Sequence, residues 1–210
     1  MVMEIKIFRI MVPVLFLILL SSCTNTVVVK PTPGNQLTIA YNLAGELYSS
    51  YRYVIILNTN GDTIQAPSMN NGNIPFKLPS DTISAPYDRA TYDTYFNTWT
   101  DYIVLESGQF KLYSGPMSGI DQNSTPDQIW IGPAVGSRIS CSINTGFLGN
   151  SAPSVIGFKI VATTQSGDPL DEIRASENII NQVDQSKTGS DPIEGYDPSL
   201  EIGAWSALIQ

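Results

Sequence analysis

Six short runs rich in Ile, Val, Tyr and Phe, separated by stretches of Gly, Pro, Asn, Asp and Ser, leave this chain few ways to fold. They are residues 37–43, 51–57, 101–106, 109–113, 137–144 and 155–163. Several alternate apolar and polar residues with period two, the spacing at which a strand puts every second side chain on one face. β-branched and aromatic side chains also fit the pleated surface of a sheet better than the crowded turns of a helix. Two of the breaks carry hairpin signals. Asn60-Gly61 lies between residues 53–57 and Thr63-Ile64, and Ser107-Gly108 lies between residues 102–105 and 110–112. Such pairs reach the positive φ that a two-residue hairpin turn requires. No long amphipathic helix is legible before residue 170. The pattern predicts a mainly all-β chain whose antiparallel strands form a two-layer sandwich.

Composition narrows the function classes. The 210 residues carry 19 acidic against 11 basic side chains, a formal net charge of −8. A surface of that sign repels phosphate backbones, and no Lys/Arg cluster supplies the electrostatic footprint of nucleic-acid binding. The chain contains no histidine. That removes the usual general base of serine and cysteine hydrolases and the commonest nitrogen ligand for zinc, copper or iron. No catalytic set and no metal-ligand spacing stands out, so the expectation is a protein that is not an enzyme and uses no cofactor. Cys23 and Cys141 are the two cysteines. Cys141 alternates with Ile139 and Ile143, which places it on the inward face of a strand as a small hydrophobe.

The first 22 residues read as an export signal. Lys6 and Arg9 form a basic start, residues 10–20 an apolar run, and Leu20-Ser21-Ser22-Cys23 follows. As a helix that run measures about 16 Å, too short for the roughly 30 Å hydrocarbon core of a bilayer. Leu20, Ser21, Ser22 and Cys23 resemble the lipobox of bacterial lipoproteins. The resemblance implies cleavage before Cys23 and a covalent lipid on its sulfur, with the membrane as partner. Thr24, with no Asp at that position, implies by the sorting habit of that class an outer membrane, or the cell surface where there is one membrane. At about 0.8 kcal/mol per buried methylene, two or three acyl chains hold far more firmly than one.

Residues 23–35 are then the lipidated Cys and a tether, whose Pro31-Thr32-Pro33-Gly34 suits an extended spacer. Residues 36–210 are expected to hold the sandwich and an acidic C-terminal tail. Residues 170–185 leave two readings open: a single C-terminal helix with Ile173, Ile180 and Val183 inward, begun by Asp171 and Glu172, or no helix at all. The apolar end of the tail, Ile202-Gly203-Ala204-Trp205, suits docking back onto the domain.

Three constellations invite a functional reading. Residues 86–102 hold Tyr87, Tyr92, Tyr95, Phe96, Trp99 and Tyr102 among Asp88, Asp93 and Asp101. Aromatic faces beside carboxylates suit a sugar, whose C–H face stacks on a ring while its hydroxyls seek polar partners. Tyr87, Tyr92, Tyr95 and Trp99 are the candidate ligand-binding residues; the competing reading packs Trp99 and Tyr102 into the core. Asn58-Thr59-Asn60-Gly61-Asp62 has the alternating oxygens of a calcium loop but lacks its distal bidentate Glu, so a plain turn competes with it. Asp88, Asp93 and Asp101 raise a carboxylate-based glycosidase as a further alternative, although nothing marks two of them as acid and base.

Residues 51–62, 99–104, 147–149 and 155–160, in that order, resemble bacterial β-sandwiches of the DOMON and family 9 carbohydrate-binding kind. That likeness implies a sandwich that binds a sugar or a cofactor, and the haem ligands of some such domains have no counterpart in a chain without His. The expectation is a lipid-anchored envelope protein with a glycan as ligand, or alternatively an assembly protein that binds another envelope protein.

Overall fold

Whether an apolar run alternates or is continuous decides how many of its faces are covered. Among the described residues the chain order is β1 (Gln36–Leu43), β2 (Tyr51–Asn58), α1 (Arg89–Phe96), β3 (Asp101–Glu106), β4 (Gln109–Ser114), β5 (Asn123–Ser124), β6 (Ile129–Ile131), β7 (Arg138–Asn144), β8 (Val155–Thr164), β9 (Leu170–Glu172), β10 (Glu177–Ile180), β11 (Ser186–Ser190) and β12 (Ile202–Ile209). The computed structural model describes residues 32–68, 74–117, 123–124, 129–131, 134–149, 153–168, 170–173, 175–195 and 197–210. Residues 32–210 form one compact unit.

The strands make two antiparallel sheets, an all-β sandwich. The first runs β11-β12-β1-β7-β6 and the second β10-β8-β2-β3-β4-β5, with β9 also paired to β8. β1, β7 and β12 alternate. Leu37, Ile39, Tyr41 and Leu43 of β1 meet Ile139, Cys141 and Ile143 of β7 and Trp205, Ala207 and Ile209 of β12 in the core between the sheets. Tyr53, Ile55 and Leu57 of β2 and Phe158, Ile160 and Ala162 of β8 close that core from the second sheet. Each Leu, Ile and Phe among them contributes about 1.5–3 kcal/mol by leaving water.

β2, β3 and β8 carry continuous apolar runs because the second sheet is covered on its other face as well. After β2 the chain leaves the sheet, and its described residues 59–68 and 74–100 cover the outer face and return through α1. Val54, Ile56, Val104 and Val161 there meet Phe76, Leu78, Tyr92, Phe96 and Trp99 in a second core. Arg52 fixes the far end of this cover, reaching Asp81 at 2.7 Å and Glu106 at 2.8 Å.

All six strands read from the sequence are present, and the Ser107-Gly108 hairpin joins β3 to β4 with φ of 51° and 73° at its two turn residues. Three expectations are corrected, on the Asn60-Gly61 turn, the tail and the spacer, and the alternatives left open for residues 170–185 are decided. Asn60-Gly61 does not close a hairpin: Asn58 Oδ1 accepts the backbone N–H of Asn60, Gly61 and Asp62, and that turn sends the chain off the sheet. The described residues of 170–185 form no helix; Leu170–Glu172 and Glu177–Ile180 are strands paired along the edge of β8 away from β2, because that pairing satisfies their backbone and buries Ile179. The acidic tail is part of the sheet, and β12 lies between β11 and β1. The spacer is also shorter than read, since Thr32 O accepts from Val183 N, and Asn35 N donates to Gln210 O.

The edge strand β11 is held by one close approach. Gly189 lies opposite Trp205, and a Cβ on it would overlap the indole. Trp205 in turn packs edge-on against Phe158 at 5.4 Å. Gly189→Ala is expected to destabilise the domain by about 1–3 kcal/mol through overpacking. A urea titration checks this, and an unchanged midpoint would mean that the indole does not lie over β11.

Candidate binding cleft

The aromatic segment is a helix and its return to the sheet. Asp88 caps α1, accepting from Thr91 N at 2.8 Å and Thr91 Oγ1 at 2.7 Å, and these bonds hold its carboxyl below the usual range. Tyr92 and Phe96, one turn apart, face the sheet and are fully buried. Tyr92 OH donates to Pro75 O at 2.7 Å, and burial pushes its pKa up to about 12. Trp99 is 3% exposed, donates Nε1–H to Gln65 O at 2.7 Å and packs at 5.1 Å from Phe96 and 6.1 Å from Tyr102.

Tyr92 and Trp99 therefore present no open face to a sugar ring, which corrects the stacking platform expected of the four aromatics. Tyr87 and Tyr95 are half-buried and meet Tyr92 at interplanar angles of 83° and 65°, so the three rings are not coplanar. The driving force is plain: α1 covers the outer face of β2 and β3, and its largest rings are the means of doing so.

The acidic residues of the segment have separate structural partners. Asp88 caps the helix, and Asp93 pairs with Arg89 at 2.9 Å, whose guanidinium also lies 5.1 Å from the Phe96 ring centre. Asp101 is fully buried at the start of β3. Thr100 Oγ1 donates to it at 2.7 Å and Gly149 N at 3.3 Å, while burial raises its pKa against those bonds. The calcium-loop reading fares no better, since the Asn58 amide oxygen already accepts three N–H groups and its Nδ2 donates to Thr98 O. No group of three or more metal-ligating side chains occurs among the described residues.

What the segment does build is a cleft. The C-terminal end of α1, the turn after β2 and the chain after β4 surround an open space of about 360 Å³ lined by Asn60, Phe96, Asn97, Trp99, Thr100, Gly115, Pro116, Met117 and Gly149. Its polar lining is neutral: two amides and a hydroxyl. Thr100 Oγ1 accepts from Thr59 Oγ1 at 3.2 Å and from Thr59 N at 3.1 Å while donating to Asp101. The buried carboxylate thus orients a chain of hydroxyls beneath the cleft. Trp99 also belongs to this lining. Asn97 and Thr100 escaped the sequence reading, and Asn60 was read only as part of a turn or calcium loop, because lone amides and hydroxyls near turns carry no binding pattern until the fold brings three turns together.

Cys141 is buried between the sheets, and burial pushes its thiol up to about 12, as expected of a small hydrophobe rather than a nucleophile. Cys23, the lipobox and the export signal lie outside the described residues. No described helix is long and apolar enough to cross a membrane. No family model, curated protein or solved structure matches the chain.

Proposed function

We propose that this protein is a lipid-anchored envelope lipoprotein whose β-sandwich binds a neutral carbohydrate without transforming it. The anchor rests on Leu20-Ser21-Ser22-Cys23 and the basic and apolar stretches before it. The ligand class rests on one observation: the cleft beside α1 sets the amides of Asn60 and Asn97 next to Phe96, Trp99 and Met117, with no charged side chain among the described residues of its lining. Amides both donate and accept, which suits the dense hydroxyls of a sugar, and the apolar side chains suit its C–H groups. A binding role fits the acidic residues nearby, which are engaged as a helix cap, an ion pair and a buried hydrogen-bond acceptor rather than facing each other across the opening.

The test is a glycan array followed by titration calorimetry, using the full-length chain in detergent. Asn97 is exposed and its side chain carries no helix-capping bond, so Asn97→Ala is expected to weaken glycan binding at least tenfold and leave the melting temperature unchanged. A well-folded wild type that binds no glycan would sink the ligand assignment. The docking of another envelope protein is the second reading, favoured by Ile180 and Val183, which stand exposed at the turn between β10 and β11.

A further inference from the structure

Charge accounting singles out a second groove, on the outward face of the first sheet. Among the described arginines, Arg52 holds Asp81 and Glu106 and Arg89 holds Asp93. Arg138, exposed at the start of β7, meets no carboxylate among the described residues, in a chain whose acidic side chains far outnumber its basic ones. The register explains why. Residues that alternate with the inward Leu37, Ile39 and Tyr41 of β1, and their partners on β7, β11 and β12, are small or uncharged at every outward position except Arg138.

Arg138 borders a groove of about 230 Å³ that crosses four strands. Ala40 and Ala204 are in its floor, and Asn42, Thr188 and Ser206 supply polar groups. A shallow methyl floor, hydroxyl and amide groups around it and one uncommitted guanidinium form a combination with a specific complement. We infer that this groove binds a carboxylated sugar, a hexuronate unit, with its C–H face on Ala40 and Ala204. Its hydroxyls meet Asn42, Thr188 and Ser206, and its carboxylate takes the paired N–H groups of Arg138. The site is separate from the cleft beside α1 and does not depend on it.

Calorimetry with the full-length chain tests this, using trigalacturonate as probe and galactotriose as its neutral counterpart. In the Asn97→Ala background, where the cleft beside α1 is weakened, trigalacturonate is expected to bind in low salt and galactotriose is not. Arg138→Gln should weaken trigalacturonate binding at least tenfold, and Arg138→Lys, which keeps the charge but loses the fork, should restore only part of it. Asn97→Ala, in the other cleft, should change nothing. The inference is overturned if trigalacturonate fails to bind at millimolar concentration, or if folded Arg138→Gln binds it as well as the wild type does. It is also overturned if sodium acetate at equal concentration displaces it, since the site then recognises a carboxylate and not a sugar.

Discussion

Trp99→Ala should lower the stability of this domain by about 3–5 kcal/mol, the cost of deleting a large aromatic side chain from a packed core. Four contacts fix that figure near its upper range. The indole stacks on Phe76 at 6.0 Å, meets Phe96 and Tyr102 edge-on and ties its Nε1–H to Gln65 O. With 3% exposure it has almost no solvent-facing surface to spare. For a chain of this size each kcal/mol moves the melting temperature by about 2–4 °C, so a scanning calorimeter should register a fall on the order of 10 °C. A fall of less than about 2 °C would show that α1 does not pack on the second sheet as described. The consequence for binding work is direct. Loss of glycan affinity in Trp99→Ala would report a damaged scaffold, whereas the same loss in Asn97→Ala would report a lost contact.

The second large effect is a dependence on pH. Asp171 of β9 is buried and accepts the Ile202 N–H at 2.6 Å, linking an edge of the second sheet to the start of β12 in the first. Burial raises its pKa to about 6 from an ordinary 3.8, with the negative charges of Asp191 and Glu201 adding to the rise. The folded chain therefore holds a proton between pH 4 and 6 that the unfolded chain has released. Its stabilising contribution is complete below the unfolded value and is lost as pH rises through the folded one. A shift of about two units corresponds to at most about 3 kcal/mol.

Asp101, also raised by burial, acts with the same sign. Asp88 and Asp197 are lowered by hydrogen bonds from Thr91 and Tyr51 and act in the opposite sense, at more acidic pH. The wild type should thus melt several degrees higher at pH 5 than at pH 7.5. Asp171→Asn, whose amide oxygen still accepts from Ile202, should melt higher than wild type at pH 7.5 and show a flatter profile. A variant that melts lower than wild type at both pH values would mean that the carboxylate is stabilising in its charged form.

The strands were legible because each of the six runs carries its own signal, in side chains that favour a sheet and in the glycine-rich breaks between them. The elements that were not legible depend on partners distant in sequence. α1 has only Tyr92 and Phe96 inward, too short a stripe to announce a helix until the face of β2 and β3 is there to receive it. β9 and β10 are three and four residues long, and their pairing with β8 decides what a helical spacing of Ile173, Ile180 and Val183 could not. Asn60-Gly61 has the residues of a hairpin, yet Asn58 competes for the N–H groups that would have paired across it. The candidate site followed the same rule. The aromatic segment was visible as a cluster, but which of its rings face outward depends on the sheet beneath them.

The position of β12 bears on when this domain can form. Residues 202–209 pair with the nearby β11 on one side and with β1 on the other, the latter joining Leu37 to Ile209 and Leu43 to Ile202 across most of the chain. Until those residues have left the ribosome, Leu37, Ile39 and Tyr41 lack one of their two neighbouring strands and the first sheet stays open. Contacts that distant are made late and slowly. A nascent chain would therefore keep its first sheet open through most of its synthesis, with the inward faces of β1 and β7 waiting for the last strand to cover them.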